Sequence, residues 1–115
     1  MDPDQVISDL FFKLREILFE EYGTRLALTA AAQDIALSIR ASTGSDETIP
    51  AFALTVSPRN GAFRVAYRPR GKKAPAPEKR MVRYDEPDVE RMLFGVVMGY
   101  VESERKRLIE YRRNF

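Results

Sequence analysis

The sequence predicts an α+β fold, in which helices pack on one face of a small antiparallel sheet. Three observations predict it. Apolar residues recur at helical spacing near both ends of the chain, they alternate with polar residues in the middle, and Asn60-Gly61 separates the two alternating runs. The predicted order is two N-terminal helices, a β-hairpin, a possible third strand and a long C-terminal helix. We expect residues 1–115 to form a single domain with one core.

The first predicted helix begins at Asp2 and ends near Gly23. Asp2 is a suitable N-cap residue, Pro3 fits the first helical position, and a glycine favours a stop. The residues predicted to enter the core from this helix are Ile7, Leu10, Phe11, Leu14, Ile17, Leu18 and Tyr22. Phe12 and Phe19 lie almost opposite that face. Either another part of the chain covers them, or they form a partner or dimer surface.

Residues 24–41 are predicted to form the second helix. Strong helix formers dominate this segment, and its apolar residues follow helical spacing: Leu28, Ala31, Ala32, Ile35, Ala36 and Ile39. Two starts are compatible with the sequence. Thr24 caps a long helix, or Arg25–Leu28 is a short extended piece and Thr29 is the cap. A cluster of turn residues at 42–46 predicts the end.

The middle of the chain predicts an antiparallel hairpin. Its apolar residues recur at every second position, which are Phe52, Leu54 and Val56 before the turn and Phe63, Val65 and Tyr67 after it. This alternation places the large apolar side chains toward the helices, and leaves small residues with Arg64 and Arg68 on an outer, exposed face. The segment Met81–Tyr84 is a possible third strand.

Asp85 is predicted to cap the last helix, which runs to about Arg112. Gly95 and Gly99 lie inside this helix, opposite its apolar stripe and beside Met92. A glycine in a helix interior costs about 0.8–1 kcal/mol relative to alanine. This cost suggests that another backbone approaches here, either from helix 1 or helix 2 of the same chain or from the second copy in a homodimer.

The composition excludes most enzyme chemistry. The chain has no Cys and no Trp, and no His either, so thiolate nucleophiles, imidazole bases and His/Cys zinc sites are excluded. Asp88 and the Glu104-Arg105-Lys106 run match a loose nuclease pattern, but on one helix their carboxylates stand about 24 Å apart and share no metal ion. We therefore predict that the protein is not an enzyme and needs neither cofactor nor metal.

Two further features predict a cytoplasmic protein. The chain opens with Met1-Asp2-Pro3-Asp4, whereas a secretory signal opens with basic residues. The longest apolar run, residues 92–101, is half the length of about 20 that a membrane span requires.

Positive charge is concentrated in one segment. The net charge of the chain is only +2, but residues 59–83 carry a net charge of +8. Their nine basic residues are Arg59, Arg64, Arg68, Arg70, Lys72, Lys73, Lys79, Arg80 and Arg83. Within this segment, residues 69–80 contain three prolines and no large apolar residue, and so predict a mobile basic loop.

The concentration of positive charge at residues 59–83 has two interpretations: a solvated segment that only keeps the protein soluble, or the binding surface of a binding protein. In the leading hypothesis, the basic hairpin and arm bind the phosphates of DNA or RNA, largely without regard to sequence. In the alternative, the protein is a small adaptor or inhibitor, of the kind that phages and mobile elements encode. It then docks on an acidic protein surface, or uses Phe12 and Phe19 as an apolar anchor.

Overall fold

A computed structural model describes residues 1–22, 26–31, 36–42 and 49–114. In chain order the elements are α1 Pro3–Tyr22, β1 Leu26–Ala31, β2 Ala36–Ser42, β3 Ala51–Arg59, β4 Ala62–Arg70, β5 Glu78–Arg83 and α2 Val89–Arg113. The five strands form one antiparallel sheet in the order β1-β2-β3-β4-β5. The predicted α+β class is confirmed, with α2 packed on the sheet as expected.

Both helices pack on the same face of the sheet. α1 contacts β1 and β2, and α2 contacts β4 and β5. The ammonium of Lys13 lies 5.3 Å from the centre of the Phe94 ring, and further along both helices Arg105 binds Glu21 at 2.6 Å. The two helices therefore run in the same direction, side by side. Between them and the sheet lies the core, in which side chains such as Leu54 are fully buried.

The predicted second helix is wrong. Leu26–Ala31 and Ala36–Ser42 are the strands β1 and β2, which pair antiparallel. Thr29 belongs to this pairing and therefore caps no helix. Other positions on which the prediction depended lie outside the described residues: Gly23, Thr24, Arg25, 32–35 and 43–46.

Strand pairing and burial explain why β2 is extended. Leu37, Ile39 and Ala41 are buried, whereas Arg40 between them is exposed. That period of two is the pattern of a strand with one covered face. The intrinsic helix propensity of alanine is a weak preference, and packing of the alternate residues against α1 overrides it.

Two local predictions are confirmed. The backbone N–H of Asp4 donates to the Asp2 carboxylate at 3.1 Å, so Asp2 caps α1. Asn60 and Gly61 have φ angles of 51° and 75° and join β3 to β4. Two successive residues in the left-handed region form the type I′ turn that suits a two-residue hairpin.

The third strand is confirmed, and it begins earlier than expected. Whereas the sequence predicts Met81–Tyr84, β5 spans Glu78–Arg83. The predicted cap of the last helix is wrong, because α2 begins at Val89 and the N-cap position is held by Asp88. Asp88 makes no side-chain hydrogen bond to the helix, so burial of one helix face, not a capping bond, holds this end.

The predicted loop at 69–80 is shorter in the structure. Its two ends belong to β4 and β5, which leaves residues 71–77 as the connection. Gly71 begins this connection at a φ of 107°, and a Cβ atom there would lie 2.8 Å from the carbonyl oxygen of Ile49. Glycine is therefore required at this turn. The mobility of the loop stays a prediction.

Candidate nucleic-acid interface

The two faces of the sheet differ in what covers them. Directly opposed residues of antiparallel strands point to the same side. One such row holds Ile39, Leu54 and Tyr67, which are buried against the helices. In the next row, Arg40 and Arg68 flank an alanine and point to the other side, where both are exposed. We call this other side the outer face.

The outer face carries seven cations. They are Arg40, Arg59, Arg64, Arg68, Arg70, Lys79 and Arg83. Glu78 is the one acidic residue in the five strands, and it pairs with Tyr67 on the opposite, helix-covered side. Within the described strands, the outer face is therefore basic throughout.

Small side chains separate these cations. Ala53, Thr55, Ser57 and Ala66 occupy the outer positions of β3 and β4. Met81 is the large apolar residue among them and is 52% exposed. Because the sheet surface is low between the long basic side chains, a large partner can approach all of them at once.

Most of this positive charge has no counter-charge among the residues that the structure describes. Arg83 forms an ion pair with Asp85 at 3.0 Å, and both side chains are largely exposed. For the other six cations of the outer face, the described residues provide no ion pair. An exposed ion pair is weak and exchanges readily with another partner. On the outer face, six cations therefore have no ion pair with a described residue, and Arg83 has only a weak one.

Three of the nine predicted basic residues lie elsewhere. Lys72 and Lys73 line an open cleft of about 450 Å³ beside the C-terminal end of α2. Arg80 pairs with Val65, so it points to the helix side of the sheet. The structure thus brings together six of the nine predicted residues, and adds one that the sequence prediction missed.

The missed residue is Arg40. It falls in the segment for which the sequence predicts a helix, so the sequence does not place it on the sheet. The alternation of Leu37, Ser38, Ile39 and Arg40 was the signal that could have placed it there.

A buried polar cluster lies on the other side of the same strands. Glu104 of α2 is 1% exposed, and the hydroxyl of Tyr67 donates a hydrogen bond to it. Arg107 donates to both carboxylate oxygens of Glu104, at 2.6 and 2.8 Å. Arg107 also donates to the backbone oxygen of Arg70 at 2.6 Å, which fixes the tip of α2 against the end of β4.

The electrostatics of this cluster follow from burial. Burial of the Glu104 carboxylate raises its pKa, while the hydrogen bond from Tyr67 and the positive charge of Arg107 oppose that rise. Burial, together with the neighbouring Glu104 carboxylate, raises the pKa of Tyr67 as well. Glu104 and Tyr67 are buried and Arg107 is 14% exposed, and the hydrogen bonds of the three side chains hold α2 on the sheet.

A separate apolar surface lies on the helices. Phe12 and Phe19 are 58% and 60% exposed, and Met92 is 43% exposed. A Cβ atom added to Gly95 or Gly99 would meet nothing within 4 Å. Within the described part of the chain, the expectation that another segment covers these residues is therefore wrong. We call these five residues the helix surface.

Among the residues that the structure describes, no three acidic side chains lie together as a metal-binding group. Glu104, half of the nuclease-like pattern, is bound to Tyr67 and Arg107 in the core. Neither described helix is long and apolar enough to cross a membrane.

Comparison with known proteins gives no relative. Neither a known protein family, nor a curated protein, nor a solved structure matches the chain significantly. The function must therefore be inferred from the surface itself.

Proposed function

We propose that this protein is a non-catalytic nucleic-acid-binding protein whose outer sheet face binds phosphates. The observation that supports the proposal is the concentration of seven cations, with no acidic residue, on one face of the described sheet. Phosphate contacts of this kind carry no sequence information by themselves. Binding is therefore expected to be largely independent of sequence.

The physical basis is the release of counterions. A protein that neutralises phosphates frees the cations condensed on the nucleic acid, and the logarithm of its affinity then falls linearly with the logarithm of salt concentration. The slope is about −0.9 per phosphate contact on B-form DNA. If the six cations that have no ion pair with a described residue each contact one phosphate, affinity should fall by a factor of about 10³ between about 50 and 200 mM salt.

Fluorescence anisotropy with labelled DNA and RNA tests the proposal. The protein is first stripped of co-purifying nucleic acid, and affinity is measured across that salt range. The double variant Arg68→Ala/Arg70→Ala should make the slope about two units shallower, because two phosphate contacts are lost.

The matched control is Arg91→Ala/Lys106→Ala, which removes the same charge from exposed positions of α2. It should leave the slope nearly unchanged. Binding that does not depend on salt, or equal effects of both double variants, would contradict the proposal.

The helix surface supports a second candidate function. Exposed aromatic residues such as Phe12 and Phe19 favour a protein contact, so the chain is then an adaptor or inhibitor that anchors on a partner. A stoichiometric partner that survives nuclease treatment, and that is lost in Phe12→Ser/Phe19→Ser but retained in Arg68→Ala/Arg70→Ala, would favour this function. If the Phe12→Ser/Phe19→Ser variant retained the partner, the result would favour docking of the basic residues on an acidic protein surface.

A homodimer through the same helix surface is a related proposal. Light scattering on the purified chain should then give twice the monomer mass of 13.2 kDa. Residence in the cytoplasm likewise remains a proposal, and it agrees with a nucleic-acid partner.

A further inference from the structure

The cations of the outer face fall into two clusters. The hairpin cluster, Arg59, Arg64 and Arg83, lies beside the turn between β3 and β4. The loop cluster, Arg40, Arg68 and Arg70, lies at the opposite end of the same strands. Lys79 stands between the clusters, on the edge strand β5.

The distance between the clusters follows from strand geometry. Arg64 and Arg68 are four residues apart on β4, which is about 14 Å at about 3.4 Å per residue. The row of Arg59 and the row of Arg68 are six residues apart, or about 20 Å. The sheet surface between them carries Thr55 and Ala66, which are too short to obstruct a ligand.

This spacing suits a double helix better than a single strand. The major groove of B-form DNA is about 12 Å wide, so two cation clusters about 14 to 20 Å apart can contact the backbones on either side of it. Proteins that bind single strands instead offer aromatic side chains on which bases stack. No described residue on the outer face is aromatic, because Phe52, Phe63 and Tyr67 all point to the helix side.

We propose that the ligand of the outer face is double-helical B-form DNA, with one backbone on the hairpin cluster and the other on the loop cluster. This inference rests on the proposed function and narrows it. The small residues between the clusters then face the groove, where they make no base-specific hydrogen bond. Binding should be indifferent to sequence and sensitive to the form of the helix.

A comparison of the affinities for three nucleic-acid probes tests whether the ligand is a B-form duplex. Affinity is measured at about 100 mM salt for a 20-base-pair DNA duplex of mixed sequence, for one of its strands alone, and for an RNA duplex of the same sequence. The DNA duplex should bind at least tenfold more tightly than either of the others. Equal or tighter binding of the single strand, or of the RNA duplex, would overturn the inference and leave the proposed function standing.

Paired variants test whether both clusters are used. Arg59→Ala/Arg64→Ala and Arg68→Ala/Arg70→Ala each remove two cations, from the hairpin cluster and the loop cluster respectively. Each should make the salt slope for duplex DNA about two units shallower. A loss confined to one of the two variants would overturn the straddled arrangement.

Total absence of binding to all three probes at about 50 mM salt would overturn both this inference and the proposed function. Circular dichroism of each variant shows that it remains folded, so that a shallower slope reports lost contacts.

Discussion

Strand β4 shows how different the two faces of this sheet are. Phe63 and Tyr67 are buried beneath α2, whereas their chain neighbours Arg64 and Arg68 lie on the outer face with no described partner. A strand alternates its side chains between two faces, so one segment supplies the core and the candidate binding surface at once. Substitutions at adjacent residues should therefore have separable consequences: inner positions determine stability, and outer positions determine binding.

The largest effect is expected at Phe63, which is fully buried. Phe63→Ala should lower the free energy of unfolding by about 4 kcal/mol, because it removes a buried ring and leaves a cavity. Its neighbour provides the control: Arg64→Ala should change that free energy by less than about 0.5 kcal/mol. Urea denaturation of both variants measures the difference. A similar loss at both positions would break the separation of the two faces.

The next effect is expected in the buried polar cluster. Glu104→Ala leaves the Arg107 cation and the Tyr67 hydroxyl without their acceptor, and should cost about 3 kcal/mol of unfolding free energy. The control is Glu102→Ala. The side chain of Glu102 is 52% exposed and forms an ion pair with Arg105. An exposed pair contributes at most about 1 kcal/mol. Thermal unfolding should rank the two variants in this order, and the reverse order would contradict the anchoring role of Glu104.

An alkaline pH titration should give an intermediate effect. Burial, assisted by the negative charges of Glu104 and Glu21, raises the pKa of Tyr22 to about 12. The unfolded chain releases this proton near pH 10, so the contribution of Tyr22 is complete below pH 10 and is lost as the pH approaches 12. Between these values the wild type should lose about 2 kcal/mol more stability than Tyr22→Phe. If the unfolding free energies of the two proteins fell in parallel with pH, the pKa of Tyr22 would not be raised in the folded state.

The smallest change in stability is expected on the outer face. Ala66 lies opposite Thr55 and Lys79 in the middle of the face. Ala66→Glu should weaken duplex DNA binding by about tenfold, because its carboxylate repels phosphates, and should alter the unfolding free energy by less than about 0.5 kcal/mol. The control Ser103→Glu adds the same charge to an exposed position of α2 and should leave the affinity unchanged. If both variants weakened DNA binding equally, the loss would depend on the net charge of the protein and not on the outer face.

Local signals account for the parts of the fold that the sequence predicts. The alternation around Asn60-Gly61 predicts β3 and β4, and capping by Asp2 predicts the start of α1. Strands β1 and β2 are different, because their sequences fit helical spacing as well as strand alternation. The extended conformation is decided by pairing of β1 with β2, by pairing of β2 with β3 and by cover from α1, which are contacts that no local pattern contains.

The candidate site was predictable to a similar degree. Charge counting finds the basic segment, and alternation places Arg64 and Arg68 on the outer face. Charge counting within residues 59–83 does not find Arg40, because placing Arg40 on the outer face requires knowing that β2 is a strand. It also groups Arg80 with the others, although the pairing register turns it to the helix side. Register therefore decides which cations share a surface.

The most direct test of the account is a nuclear magnetic resonance titration of labelled protein with duplex DNA, in which the Nε–H signals of the arginine side chains are followed. The signals of Arg64 and Arg68 on the outer face should shift and broaden on addition of DNA, while that of Arg91 on α2 should not. Shifts confined to Arg91 and the residues of the helix surface, with Arg64 and Arg68 unchanged, would contradict the assignment of binding to the outer face of the sheet.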